Sequence, residues 1–141
     1  MHEKKYKIVI DNTVWISSLF GGVCHRLLSE VIDYKNVTIF VCTDLIDEFL
    51  ISSSYPRVSE KVSQKNIKSL FLILKNRTKH LKLSSVVKIN RDLKDDYLLA
   101  LSKDSYSDYL LTYDYDLLDM EKYKKTKIIE IKDFIKILRT E

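Results

Sequence analysis

Two stretches of the chain, YKIVI at 6–10 and VTIFVC at 37–42, are apolar without polar alternation. Continuous runs of this kind suit strands of a parallel sheet that is covered on both faces. Between them, residues 14–20 read as a short apolar helix or turn and Gly21-Gly22 as a break. Residues 23–34 then place Val23, Leu27, Leu28, Val31 and Ile32 at helical spacing. After the second strand Thr43 reads as an N-cap, with Asp44 and Asp47 suited to the positive end of a helix reaching about Ser52. Tyr55-Pro56 interrupts the pattern. Residues 59–75 predict a longer helix with Val62, Ile67, Leu70, Phe71 and Leu74 on its apolar face, and LKLSSVVKI at 81–89 a brief extended stretch. The remainder predicts a helix over 93–103 capped by Asp92, a strand at 109–112 and a loop holding Asp114 and Asp116. A strand at 127–131 and a last helix near 132–139 complete the pattern.

Strands and helices alternate throughout, which predicts an α/β fold: a three-layer α/β/α sandwich with a central parallel sheet. The length of 141 residues suits one domain spanning 1–141, and two Gly with one Pro leave little material for linkers. A net charge of +4 permits a polyanionic partner without demanding one. Cys24 and Cys42 each sit among apolar neighbours; a reduced, mostly buried pair fits a cytoplasmic protein, with a disulfide as the alternative. Two Cys, with His25 beside Cys24 and no further Cys, do not make up the four-ligand spacing of a structural zinc site. No signal peptide and no membrane-spanning segment are visible, so no membrane partner is expected.

In parallel sheets ligands bind beyond the carboxyl ends of the strands, and there the chain places acids. Asp11 follows the first strand; Thr112, Asp114 and Asp116 follow the strand at 109. Glu48 shares a helix face with Leu45, Phe49 and Ser52, and Asp95 shares one with Leu98, Leu99 and Ser102, so both lie beside an inward stripe. Asp44 and Asp92 read as first-turn or capping residues; Asp96, Asp47 and Asp119 read as solvated; Asp116 reads equally as a cap. Crowded carboxylates repel one another and resist ionisation. A hard divalent cation, Mg²⁺ or Mn²⁺, resolves that crowding with oxygen ligands.

IVIDNTVWISSLFGG, VCTDLIDEFL, SYPRV, RDLKDDYLLAL and SDYLLTYDYDLLDM, in this order, resemble the motifs of the PIN-domain nucleases, particularly the bacterial branch of toxin–antitoxin toxin components. By position, the resemblance implies a metal site of Asp11, Glu48, Asp95 and Asp114, with Asp116 as a fifth member. Thr13 supports the first Asp, and Thr112 stands with it as a supporting hydroxyl. Two departures stand out: Asp11-Asn12-Thr13 where the family commonly reads Asp-Thr-Asn, and Leu93 where it has Pro. Neither removes a candidate ligand. The resemblance implies metal-dependent hydrolysis of phosphodiester bonds, most often of RNA. It also implies a homodimer and a protein antitoxin that occludes the acidic site. Arg57, Arg91 and Lys94 are candidates for the phosphate backbone. Trp15 and Phe20 read as core or interface residues, with base stacking the alternative.

Two other classes stand beside this reading. One is a catalytically weak PIN-like RNA- or protein-binding module. The other takes Asp11 as a phospho-acceptor, which leaves Glu48, Asp95 and Asp114 unexplained. His2, His25 and His80 lie outside the acidic motifs, against a metal-independent histidine ribonuclease.

Overall fold

The structure, a computed structural model, describes residues 4–88 and 93–140, with the side chains at 93–95 outside the description. The chain runs β1 (Tyr6–Ile10), α1 (Asn12–Ser18), α2 (Gly22–Asp33), β2 (Val37–Val41), α3 (Thr43–Ser54), α4 (Pro56–Ser59) and α5 (Gln64–Asn76). It continues β3 (Lys79–His80), α6 (Leu93–Asp104), β4 (Tyr109–Leu111), α7 (Tyr115–Leu118), β5 (Lys122–Tyr123), β6 (Thr126–Ile129) and α8 (Ile131–Arg139). The strands form one sheet in the order β3-β2-β1-β4-β6-β5, and the architecture is the expected α/β/α sandwich. Every pairing is parallel except β5 with β6, a short antiparallel return at the edge.

β1 sits between β2 and β4, with Ile8 opposite both Ile39 and Tyr109. That position explains its unbroken apolar run: Ile8, Val9 and Ile10 have no exposed surface. From β1 the chain steps outward to β2 and β3, then returns across the sheet to β4 on β1's other side. The crevice where strand order reverses therefore opens at the carboxyl ends of β1 and β4. Trp15 is fully buried beneath it, its indole N–H donating to the Ile10 carbonyl at 3.0 Å.

Several boundaries differ from expectation. The N-cap of α3 is Cys42, not Thr43, which is the first helical residue. The predicted helix over 59–75 divides into α4, opened by Pro56 as its first residue, and α5, which starts at Gln64. There Ser63 captures the Asn66 N–H and ends the apolar continuity that Val62 suggested. Residues 81–88 belong to no helix or strand; the Leu81 N–H donates to the Val41 carbonyl at 2.9 Å. The predicted loop holding Asp114 and Asp116 contains α7, capped by Asp114. Asp96, read as solvated, is buried at 6% exposure, in a recess shared with Leu83, Val87 and Lys88 of the extended stretch. Phe20 does not join the core; it is 51% exposed. Both cysteines are free, and burial pushes the Cys42 thiol up to about 11, as befits an inert core residue.

Candidate active site

The carboxyl ends of β1 and β4 meet through the backbone: the Asp11 N–H donates to the Leu111 carbonyl at 2.9 Å. Asp11 is also the N-cap of α1, where a carboxylate would ordinarily turn back onto the helix N–H groups. It makes no such capping bond. Its Oδ2 instead accepts from the Thr13 hydroxyl at 2.9 Å and the Thr112 hydroxyl at 2.7 Å. Thr112 in turn accepts the Asp114 N–H at 2.9 Å, so one buried threonine fixes two acids delivered by two strands. The Tyr113 N–H reaches Thr13 Oγ1 at 3.3 Å and closes the ring.

From α3, the buried stripe of Leu45, Phe49 and Ser52 carries Glu48 alongside, as its spacing implied. The Ser52 hydroxyl accepts from Asn12 Nδ2 at 3.0 Å, tying α3 to α1. Glu48 Oε2 accepts from the Tyr97 hydroxyl of α6 at 2.6 Å. Asp11, Glu48 and Asp114 thus line a single cleft of about 490 Å³, together with Asn12, Thr13, Phe20, Tyr55 and Arg57.

The electrostatics follow from this placement. Burial pushes the Asp11 carboxyl above its ordinary value. The bonds from Thr112 and Thr13 pull against that shift, while the charges of Glu48 and Asp114 add to it. The Tyr97 hydroxyl is driven far above its ordinary value by burial and by its bond to Glu48, so it remains a donor. Arg57 is the basic side chain bordering the cleft.

The remaining sequence candidates fall elsewhere. Asp116 is exposed and does not line the cleft; its N–H donates to Asp114 Oδ1 at 2.9 Å, which makes it the capped residue rather than the cap. Asp95 lies on α6, two residues before Tyr97, but its side chain is outside the described residues, as are Arg91, Asp92 and the Lys94 side chain. Asp44 stands in the first turn of α3, as expected. Sequence reasoning overlooked Tyr97. A tyrosine amid the apolar residues of a helix needs a partner for its hydroxyl, and that is the signal it carried.

The donor set is chemically suited to a hard divalent cation: carboxylate oxygens from three segments, and a buried Asn12 whose Oδ1 has no hydrogen-bond partner among the described residues. Among the described residues, however, no three His, Cys, Asp or Glu side chains are grouped closely enough to hold a metal ion. Nor does any helix among them have the length and apolarity to cross a membrane.

No protein-family model matches the sequence, and no curated protein matches it. Solved structures do. The PIN domain of human SMG5 superposes with a TM-score of 0.55 over 94% of this chain and 98% of that one, at 10% identity. Mycobacterium tuberculosis VapC20, a sarcin–ricin loop cleaving toxin, superposes with a TM-score of 0.55 over 85% of this chain and 98% of that one, also at 10% identity. The fold is that of the PIN domains. At this identity the PIN-like likeness concerns the fold alone.

Proposed function

We propose that this single PIN-like domain is a divalent-metal-dependent endoribonuclease that hydrolyses phosphodiester bonds of RNA. The observation that carries the reading is the convergence of Asp11, Glu48 and Asp114, from three separate segments, on one cleft at the sheet's switch point. Asp95 is assigned to the same site from its motif and helical face. In this reading these acids hold Mg²⁺ or Mn²⁺. Thr112 and Thr13 orient Asp11, Thr112 also positions the Asp114 backbone, and Arg57 binds a phosphate. A bound divalent cation supplies Lewis acidity toward the phosphodiester. Asp116 acts at most through Asp114. By likeness to VapC20, we assign the chain to the toxin side of a cytoplasmic toxin–antitoxin pair, acting as a homodimer restrained by a protein antitoxin.

A second reading, a PIN-like RNA- or protein-binding module with little catalysis, draws on the spacing of the described acids, which does not complete a three-ligand set. One experiment separates the two. Purified protein is incubated with mixed RNA in Mn²⁺, Mg²⁺ or chelator, beside Asp11→Asn. Cleavage that requires the cation and disappears in the variant supports the nuclease. RNA retention without cleavage in any cation supports the binding module.

A further inference from the structure

Each described acid of the cleft gives one carboxylate oxygen to a donor of this chain. Asp11 Oδ2 is held by Thr13 and Thr112, Glu48 Oε2 by Tyr97, and Asp114 Oδ1 by the Asp116 N–H. Among the described residues no donor reaches Asp11 Oδ1, Glu48 Oε1 or Asp114 Oδ2. A carboxylate oxygen that already accepts a hydrogen bond is the weaker and less mobile ligand, so a carboxylate held in this way favours contact through its other oxygen. That suits Mg²⁺ and Mn²⁺, of which Mg²⁺ demands octahedral geometry, uses few carboxylates and retains waters. Ca²⁺ collects about six to eight oxygens and often takes a glutamate through both.

Glu48 is the acid on which the distinction turns. Its extra methylene gives it the reach to turn both oxygens toward one ion, and the Tyr97 bond at 2.6 Å opposes that turn. Asn12 adds a neutral oxygen to the same cleft. It is 4% exposed, lines the cleft, and spends Nδ2 on Ser52, while among the described residues Oδ1 has no partner. A buried acceptor left unmet calls for a donor or a cation. A bound cation or the water it retains would meet it; a carboxylate would not.

We propose that Tyr97 is a positioning residue that sets the cation preference of this cleft, holding Glu48 to one-oxygen contact and so favouring a small octahedral cation over Ca²⁺. The proposal rests on the metal-dependent reading above. Its test uses the full chain without RNA, titrated with MnCl₂ or CaCl₂ in a calorimeter, so the readout is affinity and not turnover. The parent is expected to bind Mn²⁺ more tightly than Ca²⁺. In Tyr97→Phe, which loses only the hydroxyl, the ratio of Ca²⁺ to Mn²⁺ dissociation constants should fall about tenfold, the order of one hydrogen bond to a charged group. Asp108→Asn, whose acid holds the Lys7 N–H at the other end of the strands, should leave the ratio unchanged. Should Tyr97→Phe fail to fold, Tyr97→Leu removes the same hydroxyl and should lower the ratio likewise. A parent that binds Mn²⁺ and a folded Tyr97→Phe or Tyr97→Leu with the parental ratio would overturn the proposal, as would an equal fall in Asp108→Asn. A parent that binds neither cation, or an Asp11→Asn variant that binds Mn²⁺ as the parent does, would instead remove the metal-dependent reading and the proposal with it.

Discussion

Two aspartates sit at opposite ends of the same pair of strands and are treated in opposite ways. At the amino end of β4, Asp108 accepts the Lys7 N–H at 2.9 Å and stands 3.3 Å from the Lys125 ammonium. Its charge is answered within the chain, and it stitches β1 to β4. At the carboxyl end, Asp11 is more deeply buried and faces Glu48 and Asp114. No ion pair among the described residues involves any of those three. The fold neutralises one strand-end acid with a lysine and concentrates three others around a cleft bordered by Arg57; in the proposed reading that second group is kept for a charge brought from outside.

The comparison breaks most sharply in activity. If the nuclease reading holds, Asp11→Asn should lower RNA cleavage about a thousandfold, while Asp108→Asn should leave it within about twofold. Single-turnover cleavage of a labelled RNA measures both. Equal losses would mean that Asp11 serves structure as Asp108 does.

Next in size is stabilisation by the cation. Ligand that binds only the folded state adds about 2.7 kcal/mol at a hundredfold excess over its dissociation constant. Calorimetric melting should show that gain from Mn²⁺ in the parent, in Asp108→Asn and in Asp44→Asn, and a sharply smaller gain in Asp11→Asn and Asp114→Asn. A uniform gain across all five proteins would place the cation elsewhere.

Cation-free stability should reverse the order. Asp108→Ala removes the acceptor of a backbone N–H and one member of a surface pair, costing about 1–2 kcal/mol by urea denaturation. Asp11→Asn should cost less than Asp108→Ala, because it relieves repulsion in the cleft. A larger cost for Asp11→Asn would make that residue a structural one.

The smallest effect concerns a third aspartate. Asp104, at the end of α6, accepts the Ser84 and Ser85 N–H groups at 2.7 and 3.0 Å and the Ser85 hydroxyl at 2.5 Å. Slight desolvation raises its carboxyl, but these bonds outweigh it and the net shift is downward. A lowered folded value means stability that is present above the ordinary aspartate value, about 3.9, and lost as pH falls through the folded value. Asp104→Asn should therefore flatten the acid arm of the stability profile by about 1 kcal/mol or less, since the group is exposed. Unchanged acid unfolding would show that the 84–85 stretch is held by something else.

These contrasts also show what could be read before the structure. Central strands announce themselves because burial on both faces forbids polar alternation, so β1 and β2 were legible in YKIVI and VTIFV. β3 and β5 were not, since two residues carry no period. Asp11 and Asp114 were found by the strand-end rule and Glu48 by its place beside an apolar stripe. Asp116 was grouped with them because sequence cannot tell which of two neighbouring acids turns inward; α7 begins there and leaves Asp116 outside. Asp96 was misread as solvated; it is buried and borders a recess with residues 83–88, a segment with no pattern of its own.

β1 precedes its partner β4 by about a hundred residues: Ile8 pairs with Tyr109, and the Asp11–Thr112 bond spans 101 positions. A chain emerging from the ribosome therefore carries Asp11 and Glu48 long before it carries Thr112 or Asp114. Contacts so distant in sequence are slow to close, and no amino-terminal fragment ending before residue 112 contains the clamp that joins the two strand ends. Whatever the cleft does, a product of synthesis interrupted before residue 112 lacks the residues to do it.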